Sequence, residues 1–178
     1  MKRIISLLSA FLLIKALLAP AATAQTAEEY PPAGTPVVFE ARDLKDNPVT
    51  SEEIFSGHIL TMVNLWGTYC GPCIMEMPEL AILSGRLAEK NCAVIGIVID
   101  VGIPGMGTAA DAEKILSDAG VTYPNYVLDP AVFMELLPAY YVPTTYFVDG
   151  EGKLVGEPLI GARGADEYEQ AINALLGE

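Results

Sequence analysis

From residue 37 onward the apolar positions follow two rhythms, short continuous runs and longer stripes at helical spacing, which take turns along the chain. The runs Ile59–Leu65 and Ala93–Ile99 are near-continuous and rich in β-branched residues, the pattern of strands buried on both faces. Between them, a segment opened at Cys70 carries Ile74, Met77, Ala81, Ser84 and Ala88 at helical spacing, widened by Leu80, Leu83 and Leu87. Pro78 sits inside that helix and removes one hydrogen bond, which predicts a kink. Val37–Phe39 and Pro48–Val49 flank the turn signal Asp46-Asn47 and predict an N-terminal hairpin. Gly102–Gly107 is a loop, and Thr108 is a good N-cap for a helix over Ala109–Ala119 that Gly120 ends. Tyr123–Leu128 reads as a strand, Pro130–Leu137 as a short helix and Thr144–Val148 as a strand. Asp149-Gly150-Glu151-Gly152 then forms a hairpin turn with Lys153–Ile160 as the returning partner. The last helix, Ala165–Leu176, buries Tyr168, Ala171, Ile172 and Leu175 and carries Asp166, Glu167 and Glu169 near its start, where the helix dipole favours them. Strands alternating with helices, closed by a hairpin and a helix, make an α/β sandwich. At 178 residues this is one domain, and no internal repeat is visible.

The N-terminus follows neither rhythm. Met1-Lys2-Arg3 is a charged start, Ile4 to Ala19 is mostly apolar, and Ala22-Thr23-Ala24 is a small-x-small cleavage site, so residues 1–24 read as a secretory signal peptide. A retained membrane anchor is the competing reading. Lys15 breaks the apolar run and leaves it shorter than the roughly 20 residues that a spanning helix needs. No cysteine follows Ala24, which argues against a lipid anchor. In either case the domain is placed outside the cytoplasm. Residues 25–36, with Pro31, Pro32, Gly34 and Pro36, read as a flexible leader, and 37–178 as the folded domain.

Charge narrows the partners. The formal net charge is −13, and removing residues 1–24 takes away three of the ten basic residues and no acid. A surface this acidic repels nucleic acid and anionic lipid, and solubility is the plain reading of the excess.

The chemistry is concentrated in Trp66-Gly67-Thr68-Tyr69-Cys70-Gly71-Pro72-Cys73, directly after the first buried run. Two cysteines three apart on one helical turn can close a disulfide and reopen it, moving two electrons. Cys70, at the helix N-terminus, faces unpaired amide N–H groups that favour its thiolate, so it is the candidate nucleophile. Cys73, one turn on, is placed to resolve a mixed disulfide. Pro72 suits the first turn, where its missing N–H costs nothing. A structural bridge between such neighbours would constrain almost nothing. A zinc site would have to recruit Cys92 and His58, at a spacing unlike known zinc modules. Cys92 opens a buried run and reads as an inert core thiol. His58 receives no role.

Together with Glu76-Met77-Pro78 and Tyr141-Val142-Pro143-Thr144-Thr145-Tyr146-Phe147-Val148-Asp149, the dithiol segment Val63–Cys73 makes the chain similar to the TlpA/ResA-like branch of the thioredoxin superfamily over residues 35–178. The resemblance implies a thioredoxin-like fold: a four- or five-stranded mixed sheet flanked by helices, with a strand–helix insert at Tyr123–Leu137. It implies a cis Pro143 packed against the disulfide and a Val142 backbone offered to an extended substrate. Asn64 stands where ordinary thioredoxins carry a buried aspartate that moves a proton for the second cysteine, a task asparagine cannot perform at neutral pH. Glu76 matches a glutamate that this branch keeps near its site, which makes it the candidate acid/base for Cys73. Trp66 and Tyr69 flank the dithiol and read either as core or as site rim; the rim, with Gly71 and Pro72 greeting the substrate, is the favoured placement. No cofactor and no metal are implied.

The leading function is therefore an exported thiol–disulfide oxidoreductase. Cys-Gly-Pro-Cys is the thioredoxin loop, whose couple lies near about −270 mV against about −120 mV for the DsbA type, so a disulfide reductase is favoured. The resemblance implies a membrane electron donor of the CcdA or DsbD type to recharge it and exported proteins bearing thiols or disulfides as substrates; a monomer is expected. A disulfide oxidase or isomerase is the main alternative. A peroxiredoxin-like peroxidase fits less well, because its Pro-x-x-x-Thr-x-x-Cys arrangement is absent. A non-catalytic binding module would have no reason to keep both the dithiol and Val142-Pro143-Thr144.

Overall fold

The computed structural model describes residues 30–178. The signal peptide expected over 1–24 and the first part of the leader lie outside the described residues. Seven strands and five helices alternate: β1 Glu40–Asp43, β2 Pro48–Thr50, α1 Ser51–Phe55, β3 Leu60–Trp66, α2 Gly71–Ala88, β4 Cys92–Val98, α3 Ala109–Asp118, β5 Asn125–Val127, α4 Pro130–Leu136, β6 Thr144–Asp149, β7 Leu159–Ile160 and α5 Ala165–Leu176. They form one mixed sheet in the order β2-β1-β5-β4-β3-β6-β7, parallel across β5-β4-β3 and antiparallel elsewhere. The sheet thus has seven strands where four or five were expected, because the hairpin and the insert both add to its edge.

β3 and β4 are buried along nearly their whole length, and their side chains alternate between two cores. Val63, Leu65, Ile95 and Ile97 face α1 and α4, with Phe55, Phe133 and Leu137 above them. Leu60, Met62 and Val94 face α2 and α5, packing on Leu80, Leu83, Leu87, Tyr168 and Ile172. A third cluster at the sheet's C-terminal end joins Trp66 and Val98 to Cys70, Cys73, Met77 and, from α3, Ala112 and Leu116. The buried stripe of α2 therefore runs through Cys73, Met77, Leu80, Leu83 and Leu87, one position round from the sequence-predicted Ile74–Ala81–Ala88 line. Pro78 lies on the exposed side of this helix, which continues through it to Ala88.

The predicted hairpin is present but shifted. Val37 and Phe39 turn into the core, and pairing begins at Glu40↔Thr50. Asp43 organises the turn, its Oδ1 accepting the Lys45 and Asn47 N–H groups at 2.8 and 2.9 Å. The partner expected at Lys153–Ile160 is reduced to single bridges at Lys153 and Leu154 and the two-residue β7, with Gly156 at φ +68° interrupting it. The part of the leader within the described residues packs on the domain: Gly34 N–H donates to Leu154 O at 2.7 Å, and Tyr30 lies edge-on to Tyr140 and Tyr146.

Gly96, in the middle of β4, is required by close approach. The Asn125 side chain crosses it to accept the Trp66 Nε1–H at 2.9 Å, and a Cβ would overlap that amide and touch Nε1 at 3.0 Å. Gly96→Ala is expected to break this buried bond and lower stability by about 2–3 kcal/mol. Urea unfolding followed by the fluorescence of the single tryptophan checks it, and an unchanged midpoint would contradict it.

Candidate active site

β3 ends at Trp66, and residues 67–70 turn the chain into α2. The Cys70 N–H donates to the Gly67 carbonyl at 3.0 Å. The Thr68 N–H donates to Asp100 Oδ1 at 3.0 Å, and the Thr68 hydroxyl donates to Asp100 Oδ2. Asp100 is buried just beyond β4, so the neighbouring strand fixes where this turn sits. Gly67 lets the Tyr69 ring fold back over the backbone; a Cβ there would lie 2.7 Å from a ring carbon. The ring is held in place while 61% of Tyr69 stays exposed beside Cys70.

Cys70 and Cys73 are joined as a disulfide across the first turn of α2, with Cα atoms 5.3 Å apart. Cys70 is the N-cap, and its Sγ accepts the Cys73 N–H at 3.2 Å. In the dithiol the same amide and the helix dipole favour a thiolate on that sulfur. Cys70 retains 6% of its surface and Cys73 only 1%, so an incoming sulfur meets Cys70 first. Across from it, the Val142–Pro143 bond is cis, and the Val142 carbonyl oxygen lies 3.6 Å from Cys70 Sγ. In the disulfide that sulfur has no proton to give, so the contact is packing; in the dithiol the oxygen faces a thiol.

Behind the disulfide lies a buried polar cluster. Glu76 Oε1 accepts from Asn64 Nδ2 at 2.9 Å, and Oε2 accepts the Arg163 backbone N–H at 3.0 Å and the Tyr168 hydroxyl at 3.0 Å. Asn64 also donates to Thr145 Oγ1 at 3.1 Å. Burial pushes the Glu76 carboxyl above the usual carboxylate range, while the three donors and the Arg163 charge pull it partly back. Glu79, one turn on, accepts the Ala165 N–H, so α2 supplies two carboxylates to the start of α5.

The structure brings Cys70, Cys73, Tyr69, Gly71, Pro72, Val142 and Pro143 to one end of the sheet, with Glu76 beneath. Trp66 is a correction. It is 1% exposed, pointing into the α2–α3 cluster with its Nε1–H given to Asn125, so it lies in the core beneath the dithiol and not at the rim. The zinc alternative fails on position. Cys92 pairs with Leu60 at the far end of β3, six residues from Trp66 and so about 20 Å from the dithiol. Burial raises the Cys92 thiol above its ordinary value, which disfavours its thiolate. Sequence reasoning missed the Asp100 clamp and the Tyr168–Arg163 contacts to Glu76. For Asp100 the sole cue was an acid at the end of an apolar run. The Arg163 contact is a backbone amide and has no residue signature.

Residues 34–156, which span the dithiol and Val142-Pro143, match the family model described as AhpC/TSA family. The chain belongs to the AhpC/TSA family. Among similar proteins, the thiol-disulfide oxidoreductase ResA of Oceanobacillus iheyensis is 28% identical over 114 residues, 64% of this chain and 56% of that one. ResA of Bacillus thuringiensis is 25% identical over 137 residues, 77% of this chain and 74% of that one. A thiol:disulfide interchange protein DsbE from Chlorobium tepidum, described as putative, superposes with a TM-score of 0.66 at 23% identity, over 82% of this chain and 98% of its own. In sequence this AhpC/TSA-family chain is similar to thiol-disulfide oxidoreductases named ResA, and in fold it is thioredoxin-like.

Proposed function

We infer that the protein is exported and works as a disulfide reductase on other exported proteins. In that reaction the Cys70 thiolate attacks a substrate disulfide and forms a mixed disulfide, releasing one substrate thiolate that takes up a proton. Glu76 accepts the Cys73 proton, Cys73 attacks Cys70 Sγ, and the second substrate thiolate leaves. Two electrons pass to the substrate and the Cys70–Cys73 disulfide remains, to be reduced again by a membrane donor of the CcdA or DsbD type. Tyr69, Gly71, Pro72, Val142 and Pro143 line the docking face.

The observation that carries this reading is the Cys73 N–H aimed at Cys70 Sγ, on the reachable member of a Cys-Gly-Pro-Cys pair. The docking face favours an uncharged, extended partner segment. Residues 67–75, 101–110 and 136–148 contain no charged side chain in a chain of net charge −13, and Tyr69, Met75, Met106 and Tyr141 stay exposed on them. The charged start and Ala22-Thr23-Ala24 support export, and among the described residues no helix is long and apolar enough to cross a membrane. A peroxidase is disfavoured because the Thr68 hydroxyl, two residues before Cys70, is committed to Asp100.

A redox titration in glutathione or dithiothreitol buffers, read through Trp66, tests the direction of electron flow. Trp66 packs in the same cluster as the disulfide and so reports its state. A two-electron midpoint near or below about −230 mV is expected of a reductase; a value well above that would make the protein an oxidase or isomerase.

A further inference from the structure

The loop between α4 and β6 carries Val142 to Cys70, and among the described residues its hydrogen bonds lie towards its two ends. The Tyr146 hydroxyl donates to Pro138 O at 2.8 Å at the loop's start. The Thr144 hydroxyl donates to Tyr141 O at 2.6 Å, and the Gly161 N–H donates to Pro143 O at 2.8 Å, at its end. In the middle stand Tyr140 and Tyr141, 43% and 63% exposed. The ring that meets Tyr140 there is Tyr30, edge-on at 5.8 Å between centroids, and the same Tyr30 ring covers Tyr146 at 6.3 Å. Tyr30 thus touches the loop directly through Tyr140 and indirectly through the residue whose hydroxyl holds Pro138.

Tyr30 belongs to the leader, outside the run of regular elements. Its segment is tied along residues 152–154: Gly34 N–H to Leu154 O at 2.7 Å, Leu154 N–H to Thr35 O at 2.9 Å, and Val37 N–H to Gly152 O at 2.8 Å. Those bonds hold residues 34–37, and Tyr30 extends beyond them to reach the loop.

We propose that Tyr30 is a positioning residue for thiol–disulfide exchange, pinning residues 138–142 so that the Val142 backbone stays beside Cys70 for an incoming protein segment. The inference rests on the reading that Val142 presents its backbone to a protein substrate. It makes docking sensitive to the leader: whatever draws the leader off residues 152–154 also draws Tyr30 off Tyr140. A small disulfide that needs no docking does not feel the change, because Cys70, Cys73 and the α2 N-terminus are untouched.

The test compares Tyr30→Ala, Tyr30→Phe and Tyr140→Ala with the unaltered full chain, all reduced, against two probes: insulin, a protein disulfide, and dithiobis(nitrobenzoate), a small one. Tyr30→Ala is expected to raise KM for insulin about twofold to tenfold, the scale of one edge-on aromatic pair, with the rate toward the small disulfide and the redox midpoint unchanged. Tyr30→Phe keeps the ring that meets Tyr140 and Tyr146 and is expected to hold KM closer to the original value than Tyr30→Ala does. Tyr140→Ala matches Tyr30→Ala, and the double variant adds nothing further. An unchanged KM in Tyr30→Ala, or equal losses toward both probes, would overturn the proposal. An unaltered chain that reacts with the small disulfide but not with insulin would instead overturn the protein-substrate reading, and the role of Tyr30 with it.

Discussion

Cys73→Ser is expected to convert the protein into a trap. The Cys70 thiolate still attacks, since its activating partners are the Cys73 backbone N–H and the helix dipole, and serine keeps both. Resolution needs a second sulfur, so partners stay attached as mixed disulfides, visible as adducts on non-reducing gels and lost on adding dithiothreitol. Cys70→Ser should capture nothing. Cys73 is 1% exposed beneath its neighbour and has no route to a partner. Turnover falls to background in both variants, a loss of many orders of magnitude for a step with no replacement nucleophile. Equal capture by the two would show that both sulfurs are reachable and would reverse the assigned roles.

The second large effect falls on Glu76. Glu76→Gln should slow thiol exchange by roughly 10- to 100-fold at neutral pH and abolish the lower limb of the pH–rate profile. The rates should converge in alkaline solution, where Cys73 loses its proton without help. The fold tolerates the change: the glutamine oxygen takes over the Arg163 N–H and the Tyr168 hydroxyl, and Asn64 turns its amide to receive the new NH2 group. Stability carries an independent sign. Burial raises the Glu76 carboxyl above its ordinary value of 4.5, so the folded state holds the proton longer than the unfolded chain. Stability therefore falls as pH rises from about 4.5 through the raised folded value, and the loss is relieved below it. Denaturant midpoints measured across that window should slope downward in the parent and flatten in Glu76→Gln. An unchanged rate profile would remove Glu76 from the proton path, whatever the stability data show.

What the chain disclosed in advance follows from how each element is buried. β3 and β4 are covered on both faces, so they appear as unbroken apolar runs, and α5 advertises itself through acids near its start and a regular stripe. Helix α1 has five residues, too few for any periodicity, and went unread; its Thr50–Glu53 capping box is a local cue that could have found it. Trp66 was misplaced because the strand was ended at Leu65. Carried one residue further, the alternation Leu60, Met62, Asn64, Trp66 sends the indole inward towards α2 and α3. The dithiol was legible because it is local, two cysteines and a helix start. The carboxylate cluster was not, because Asn64, Thr145, Arg163 and Tyr168 come from four separate stretches, and Tyr168 has the pattern of an ordinary core residue.

That scattering imposes an order on the molecule's history. A polypeptide that emerges N-terminus first delivers Cys70, Cys73 and Glu76 long before Arg163 and Tyr168, which lie 87 and 92 residues beyond Glu76. Until then Glu76 lacks two of its three donors and the cover of α5, and it behaves as an ordinary solvated acid. The two sulfurs exist early in biogenesis, whereas the environment that governs their protons is completed only much later.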